Sequence, residues 1–107
     1  NYKLSKPIQL GTMKFLDIKD IRQKSRTILN NIKNDEQPLP HDEKFLKDIL
    51  TYHPNELKAE NFDHFTTGQN PDFPGSKCFL IVKKDGTKTD FSINKCLDVI
   101  QEKFGSA

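Results

Sequence analysis

The chain has 107 residues, of which 34% are hydrophobic and 30% charged, and its formal net charge is +2 at pH 7. That length suits a single domain, residues 1–107, burying one modest core beneath a strongly charged, soluble surface. No apolar run approaches the roughly 20 residues of a membrane span, and no charged-then-apolar leader opens the chain, so neither a membrane partner nor a secreted context is expected.

"KPIQLGTMKFLD" (Lys6–Asp17) reads as two short extended pieces around Gly11, with Ile8 and Leu10 alternating with polar neighbours. Asp17 is placed to cap a helix running from Ile18 to about Lys33. Ile18, Ile21, Ser25, Ile28, Leu29 and Ile32 fall on one face of that helix at about 100° per residue. Pro38 and Pro40 predict a loop. Asp42 then caps a second helix carrying Phe45, Leu46, Ile49 and Leu50 on one face, with its end before Pro54.

A short strand is expected near Phe62–Thr67, followed by a turn-rich loop through Asn70-Pro71 and Pro74-Gly75. Cys78–Val82 is uninterruptedly apolar, as in a strand buried on both faces. Asp85-Gly86 is a strong two-residue hairpin signal. In that register Lys84 faces Thr87, Lys83 faces Lys88, Val82 faces Thr89 and Leu80 faces Phe91. Ser92 is a natural N-cap for a last helix burying Ile93, Cys96, Leu97, Ile100 and Phe104, with Gly105 at its end. The fold class that follows is α+β, a small, mostly antiparallel β-sheet packed against about three α-helices.

Chemistry-bearing motifs are sparse. His41, His53, His64, Cys78 and Cys96 share no metal-ligand spacing, and the two cysteines lie on apolar sides of their elements, where a thiol acts as a small hydrophobe in a reducing compartment. No nucleophile elbow or phosphate-binding loop is present. The chain is therefore expected not to be an enzyme and to hold no metal and no cofactor.

Charge is more informative than motif. Residues 1–34 hold eight Lys/Arg against two Asp, a net +6; residues 35–75 hold three Lys against nine acids, a net −6; the remainder is +2. Lys19, Arg22, Arg26 and Lys33 project into one narrow arc beside the apolar face of the first helix. That pattern fits a tracker of backbone phosphates, and it fits equally a solvated face whose long side chains lie over the core edge. Lys83 opposite Lys88, with Lys84 at the turn, adds a second basic point that an anion would relieve; the same lysines would serve to blunt a sheet edge. Interleaved aromatics and glycines of an RNA-stacking sheet are missing, so base stacking on a sheet is not indicated.

"ILTYHP" (Ile49–Pro54) and "PDFPGSKCFLIVKKDGTKTDFSINKC" (Pro71–Cys96) resemble the DCL-like domain, a family named from the plant defective chloroplasts and leaves protein. The matching positions in the long block are Ser76, Lys77, Cys78, Phe79, Ile81, Lys83, Asp85, Gly86, Asp90, Phe91, Ser92, Lys95 and Cys96. "IQLGTMKF" and "FLKDIL" extend the resemblance over nearly the whole chain. Asn70-Pro71 stands where the family usually has a second His-Pro, and Ala59, Glu60 and Asn61 replace a glycine pair. The resemblance implies no catalytic residues and a place in RNA metabolism, namely plastid ribosomal RNA processing, nucleolar or nuclear functions, and a domain appended to a plant-specific RNA polymerase subunit.

Within the block, Asp90 and Ser92 lie near the helix start, where an acid or hydroxyl can satisfy free amides. Lys95 is a cation in a first helical turn, unfavourable to the helix dipole, which makes Lys77 and Lys95 the most functional-looking motif positions. Residues and resemblance together predict a non-catalytic RNA-binding or ribonucleoprotein-assembly domain in ribosomal or other RNA processing. Its phosphate contacts would come from Lys19, Arg22, Arg26 and Lys33, helped by Lys77, Lys83, Lys84, Lys88 and Lys95. The alternative is a protein–protein interaction module docking onto a larger RNA-processing or transcription complex through the acidic middle or through Phe62, Phe65 and Phe73. An enzymatic reading would need a pocket where His53 or His64 meets Cys78, Cys96 or a carboxylate. The expected location is intracellular, in the nucleus or nucleolus or in an organelle (mitochondrion or plastid).

Overall fold

A computed structural model describes residues 3–70 and 73–105. Strands β1 (Lys3–Leu10) and β2 (Met13–Asp17) form an antiparallel hairpin in which Ile8 faces Phe15 and Leu10 faces Met13. Its turn needs a glycine twice over. Gly11 has φ +65, and a Cβ there would stand 3.2 Å from the backbone of Phe45. The Gly11 amide donates to Asp48 Oδ2 at 2.7 Å, which locks the hairpin onto the second helix.

Helix α1 (Ile18–Asn31) begins as predicted, with Asp17 Oδ1 accepting from the Lys19 amide at 2.8 Å. Ile18, Ile21, Ser25 and Ile28 are buried along it. It ends two residues earlier than expected, because Ile32 turns extended, so Lys33 lies beyond the helix. Helix α2 (Pro40–Leu50) corrects the reading of Pro40 as a breaker and of Asp42 as the cap: proline occupies the first turn, where its missing N–H costs nothing. Asp42 and Glu43 sit inside that turn, favourable to the helix dipole.

A 3₁₀ turn (Glu56–Ala59) leads to an antiparallel sheet of β3 (Phe62–Gln69), β4 (Lys77–Lys83) and β5 (Lys88–Phe91), in that order. Helix α3 (Ile93–Phe104) closes the chain, and Gly105 bridges back to Leu4 of β1. Pro71 of the predicted turn lies outside the described residues. The structure is thus α+β, as predicted, with two antiparallel sheets rather than one.

Two expectations about the β4–β5 unit are overturned. Strand β4 is not buried on both faces: Phe79 and Ile81 are buried while Cys78, Leu80 and Val82 are half-buried, the alternation of an antiparallel strand covered on one side. The register is also shifted by one residue. Phe79 faces Phe91, Leu80 faces Asp90, Ile81 faces Thr89 and Val82 faces Lys88. The cause is the turn. Lys83 accepts from the Gly86 amide at 2.9 Å and donates its own amide to Thr87 at 2.8 Å. That pattern encloses a three-residue loop, Lys84–Gly86, with Gly86 at φ +88 in the left-handed position. A one-residue slip exchanges sheet faces, and here it carries Phe91 from the half-exposed face onto the core beside Phe79. Lys83 and Lys88 are therefore not an opposed like-charge pair.

One continuous core joins both sheets and all three helices through Leu10, Phe15, Ile21, Phe45, Leu46, Ile49, Phe65, Ile81, Phe91, Leu97 and Ile100, all nearly or fully buried. Phe65 stacks on Phe91 with ring centroids 5.4 Å apart. Of the phenylalanines weighed as docking residues, only Phe73 is strongly exposed; Phe62 is half-buried and Phe65 wholly buried, because β3 presents Phe65 to the helices.

Candidate nucleic-acid interface

Arg22 and Arg26 lie one helical turn apart on α1, beside its buried stripe. The start of the central strand β4 and the β5–α3 junction lie beside that flank, and together they line a groove of about 230 Å³. Arg22 and Arg26 on one side and Lys77 from the start of β4 bring cationic side chains to it. Ser25, Leu29, Phe79, Phe91 and Ile93 line it with small or apolar surface, while Asn70, Ser92 and Asn94 add neutral polar groups.

Lys77 has a second partner, since its Nζ donates to the Ile32 carbonyl at the C-terminal end of α1. No other basic residue stands in that last turn, so this ammonium satisfies a free carbonyl where the helix dipole favours a cation. An ammonium has three donors, and one such bond leaves the charge available to the groove.

Among the described residues Asp90 is the groove's one carboxylate. Its proposed duty at the helix start is not what the structure shows: Lys58 Nζ holds it, at 3.1 Å from Oδ1 and 3.0 Å from its carbonyl, and also meets Thr89 Oγ1 at 2.7 Å. The Lys58 hydrogen bond keeps the Asp90 carboxyl below its ordinary pKa. The acid is thus charge-matched by Lys58, which stands outside the groove lining, while Arg22, Arg26 and Lys77 are the cations that line the groove among the described residues. Ser92 occupies the N-cap position but makes no side-chain capping bond. Sequence reasoning missed Lys58 altogether; its only local signal is a lysine in an irregular stretch, and its role exists only once the 3₁₀ turn folds against β5.

The remaining predicted cations do not converge with these. Lys19 is exposed near the start of α1 and Lys33 beyond its end. Lys83 Nζ donates to the Leu57 carbonyl at 2.7 Å, Lys88 pairs with Asp35 at 3.4 Å across an exposed gap, and Lys84 is exposed at the hairpin tip. Lys95 is exposed on the first turn of α3, where its charge helps lower the pKa values of both Asp90 and His53.

No histidine lines the groove among the described residues, and of the two thiols only that of Cys78 does. His53 is buried, its Nδ1 accepting from the Asn55 amide at 3.0 Å and its ring 6.4 Å from that of Phe91. Burial first, then Lys58 and Lys95, push its pKa down and keep the ring neutral. His64 contacts Asp63 at 2.5 Å on β3. Cys78 is half-buried at the groove with its pKa raised by burial, and buried Cys96 is pushed up to about 12. Both are free thiols with little thiolate character at neutral pH. Among the described residues no helix is long and apolar enough to cross a membrane.

A family described as "Protein of unknown function (DUF3223)" matches residues 26–97, which include Arg26, Lys77 and the β5–α3 junction. The chain is 42% identical over 59 residues to Protein DCL, chloroplastic, of Solanum lycopersicum, a match covering 53% of this chain and 26% of that protein. It is 37% identical over 67 residues to Protein DCL homolog, chloroplastic, of Arabidopsis thaliana, covering 60% of this chain and 31% of that one. It is also 33% identical over 87 residues to DNA-directed RNA polymerase V subunit 1 of Arabidopsis thaliana, covering 77% of this chain but 4% of the subunit. The solution structure of an uncharacterized protein from Rhodospirillum rubrum shares the fold at TM-score 0.73 and 26% identity, covering 85% of this chain and 88% of that one. The chain belongs to the DUF3223 family, the DCL-like domain, and its matched segments span about a third or less of the curated relatives' lengths.

Proposed function

We propose that this chain is a non-catalytic RNA-binding domain serving RNA processing or ribonucleoprotein assembly. The observation that carries the reading is the convergence of Arg22, Arg26 and Lys77 on one groove beside a carboxylate already matched by Lys58. Arginine presents a fork of donors suited to phosphate oxygens, and phosphate contacts dominate nucleic-acid affinity. The names of the relatives supply the context: two DCL proteins and an RNA polymerase subunit. The plastid is the compartment that two of those names support.

The match to a polymerase subunit, covering most of this chain, favours a second reading, docking onto a transcription complex. Anisotropy titrations of labelled single-stranded and stem-loop RNA across a salt series separate the two. RNA binding predicts a log–log salt slope of about −0.7 for each single-strand phosphate contact, made shallower by Arg22→Glu with Arg26→Glu. An affinity flat in salt, or unchanged by the double reversal, would sink the RNA reading and leave docking.

A further inference from the structure

The composition of the groove says more than that it is positive. A surface that tracks the outside of a duplex needs only cations spaced along a convex face. Here the cations border a recess whose other walls mix apolar side chains, Leu29, Phe79, Phe91 and Ile93, with polar ones. Leu29 and Ile93 are only partly buried and so offer aliphatic surface, and Asp90 and Asn94 bring hydrogen-bonding groups to the same recess. About 230 Å³ exceeds what a tetrahedral oxyanion alone would fill, yet it falls below the roughly 300–1,000 Å³ of pockets that enclose whole drug-sized ligands. A base in a duplex cannot enter such a recess, because its faces are stacked and its pairing edge is occupied; an unpaired nucleotide presents both.

We infer that the groove binds one unstacked nucleotide of single-stranded RNA, its phosphate on Arg22, Arg26 and Lys77 and its base over Leu29 and Ile93. This deepens the RNA-binding reading and rests on it. The arginine guanidinium planes beside the aliphatic wall suit a base's π-face as well as a phosphate, so no exposed aromatic is required. Asp90 would accept from an exocyclic amino group and Asn94 would offer both a donor and an acceptor. Lys58 keeps Asp90 ionised and therefore an acceptor.

The test follows the amide resonances of the labelled chain against adenosine 5′-monophosphate, uridine 5′-monophosphate, the free nucleosides, inorganic phosphate, a single-stranded oligonucleotide and a stable hairpin stem. The expected result is that the monophosphates shift resonances of residues 77–79 and 90–94, binding roughly tenfold more tightly than either nucleoside or phosphate, and that Arg26→Glu removes those shifts while Lys84→Glu does not. Because Arg26 is exposed, the wild-type resonance pattern outside the groove serves as the fold control, with Arg26→Gln as a milder second variant. Phosphate binding as tightly as the monophosphates would overturn the inference in favour of a bare anion site. RNA binding retained with no groove shifts would overturn it while leaving the RNA reading intact, and no binding to any RNA would remove both.

Discussion

Arg22, Arg26 and Lys77 arrive at one recess from a helix and a strand, whereas Lys83, Lys84 and Lys88 occupy the two arms and tip of a single hairpin and do not converge. Lys83 is taken up by the Leu57 carbonyl and Lys88 lies by Asp35. Both regions are lysine- or arginine-rich, but only in the groove does packing hold several cations around a common volume while the local acid is matched by a separate lysine. Concavity and a separately matched acid, rather than charge density along the chain, set the groove apart as the candidate site.

The comparison can be broken most severely from beneath. Phe91 lines the groove, pairs with Phe79 and stacks on Phe65, so Phe91→Ala should cost about 3–5 kcal/mol in urea unfolding and abolish groove-dependent binding. A loss under 1 kcal/mol would show that the wall is not built on this ring. Next in size, Arg26→Glu should weaken single-stranded RNA binding by about tenfold, or ~1.4 kcal/mol, while Lys84→Glu changes it less than about twofold. Equal losses from the two reversals would show that total charge, not the groove, sets affinity. Gly86→Ala then probes the tip alone. No atom crowds that position, so the cost is the φ of +88, roughly 1 kcal/mol, with RNA affinity unmoved.

The smallest effect is a pH dependence at His53, whose ring lies 6.4 Å from that of the groove-lining Phe91. The folded pKa of His53 lies below 6.5, chiefly through burial. The unfolded chain therefore takes up the proton first, so this contribution is complete above about pH 6.5 and is lost as the pH falls toward the folded value. Stability should decline from pH 7 to pH 5, and His53→Gln should flatten that slope. Asp90 acts at lower pH. Its folded pKa is depressed below 3.8 by Lys58, so its contribution is present above the unfolded value and disappears as the pH falls through the folded one; Lys58→Met should remove it.

Wherever a pattern repeats locally, the chain could be read directly. The isoleucine spacing of α1 and its Asp17 cap, the apolar face of α2 and the buried stripe of α3 were all legible, because helical periodicity is written every three or four residues. Arg22 and Arg26 were legible for the same reason. Asp85-Gly86 located a turn but not its length, since Gly86 satisfies its left-handed requirement in a three-residue loop as readily as in a two-residue one, and the register followed the loop. Pro40 suggests an interruption in the sequence because a proline that starts a helix and one that ends it look alike without the flanking backbone.

By itself, then, the sequence determined the α+β class, the helices and their buried faces, the position of the β4–β5 turn, and a basic edge on α1. Tertiary structure alone decided that Phe91 faces the core, that Lys58 reaches across to Asp90, and that Lys77 both caps α1 and joins Arg22 and Arg26. Each of these links residues 31 or more positions apart or turns on a one-residue choice of register. Local periodicity carries no term for such contacts, which are settled only when separate elements compete to bury the same core.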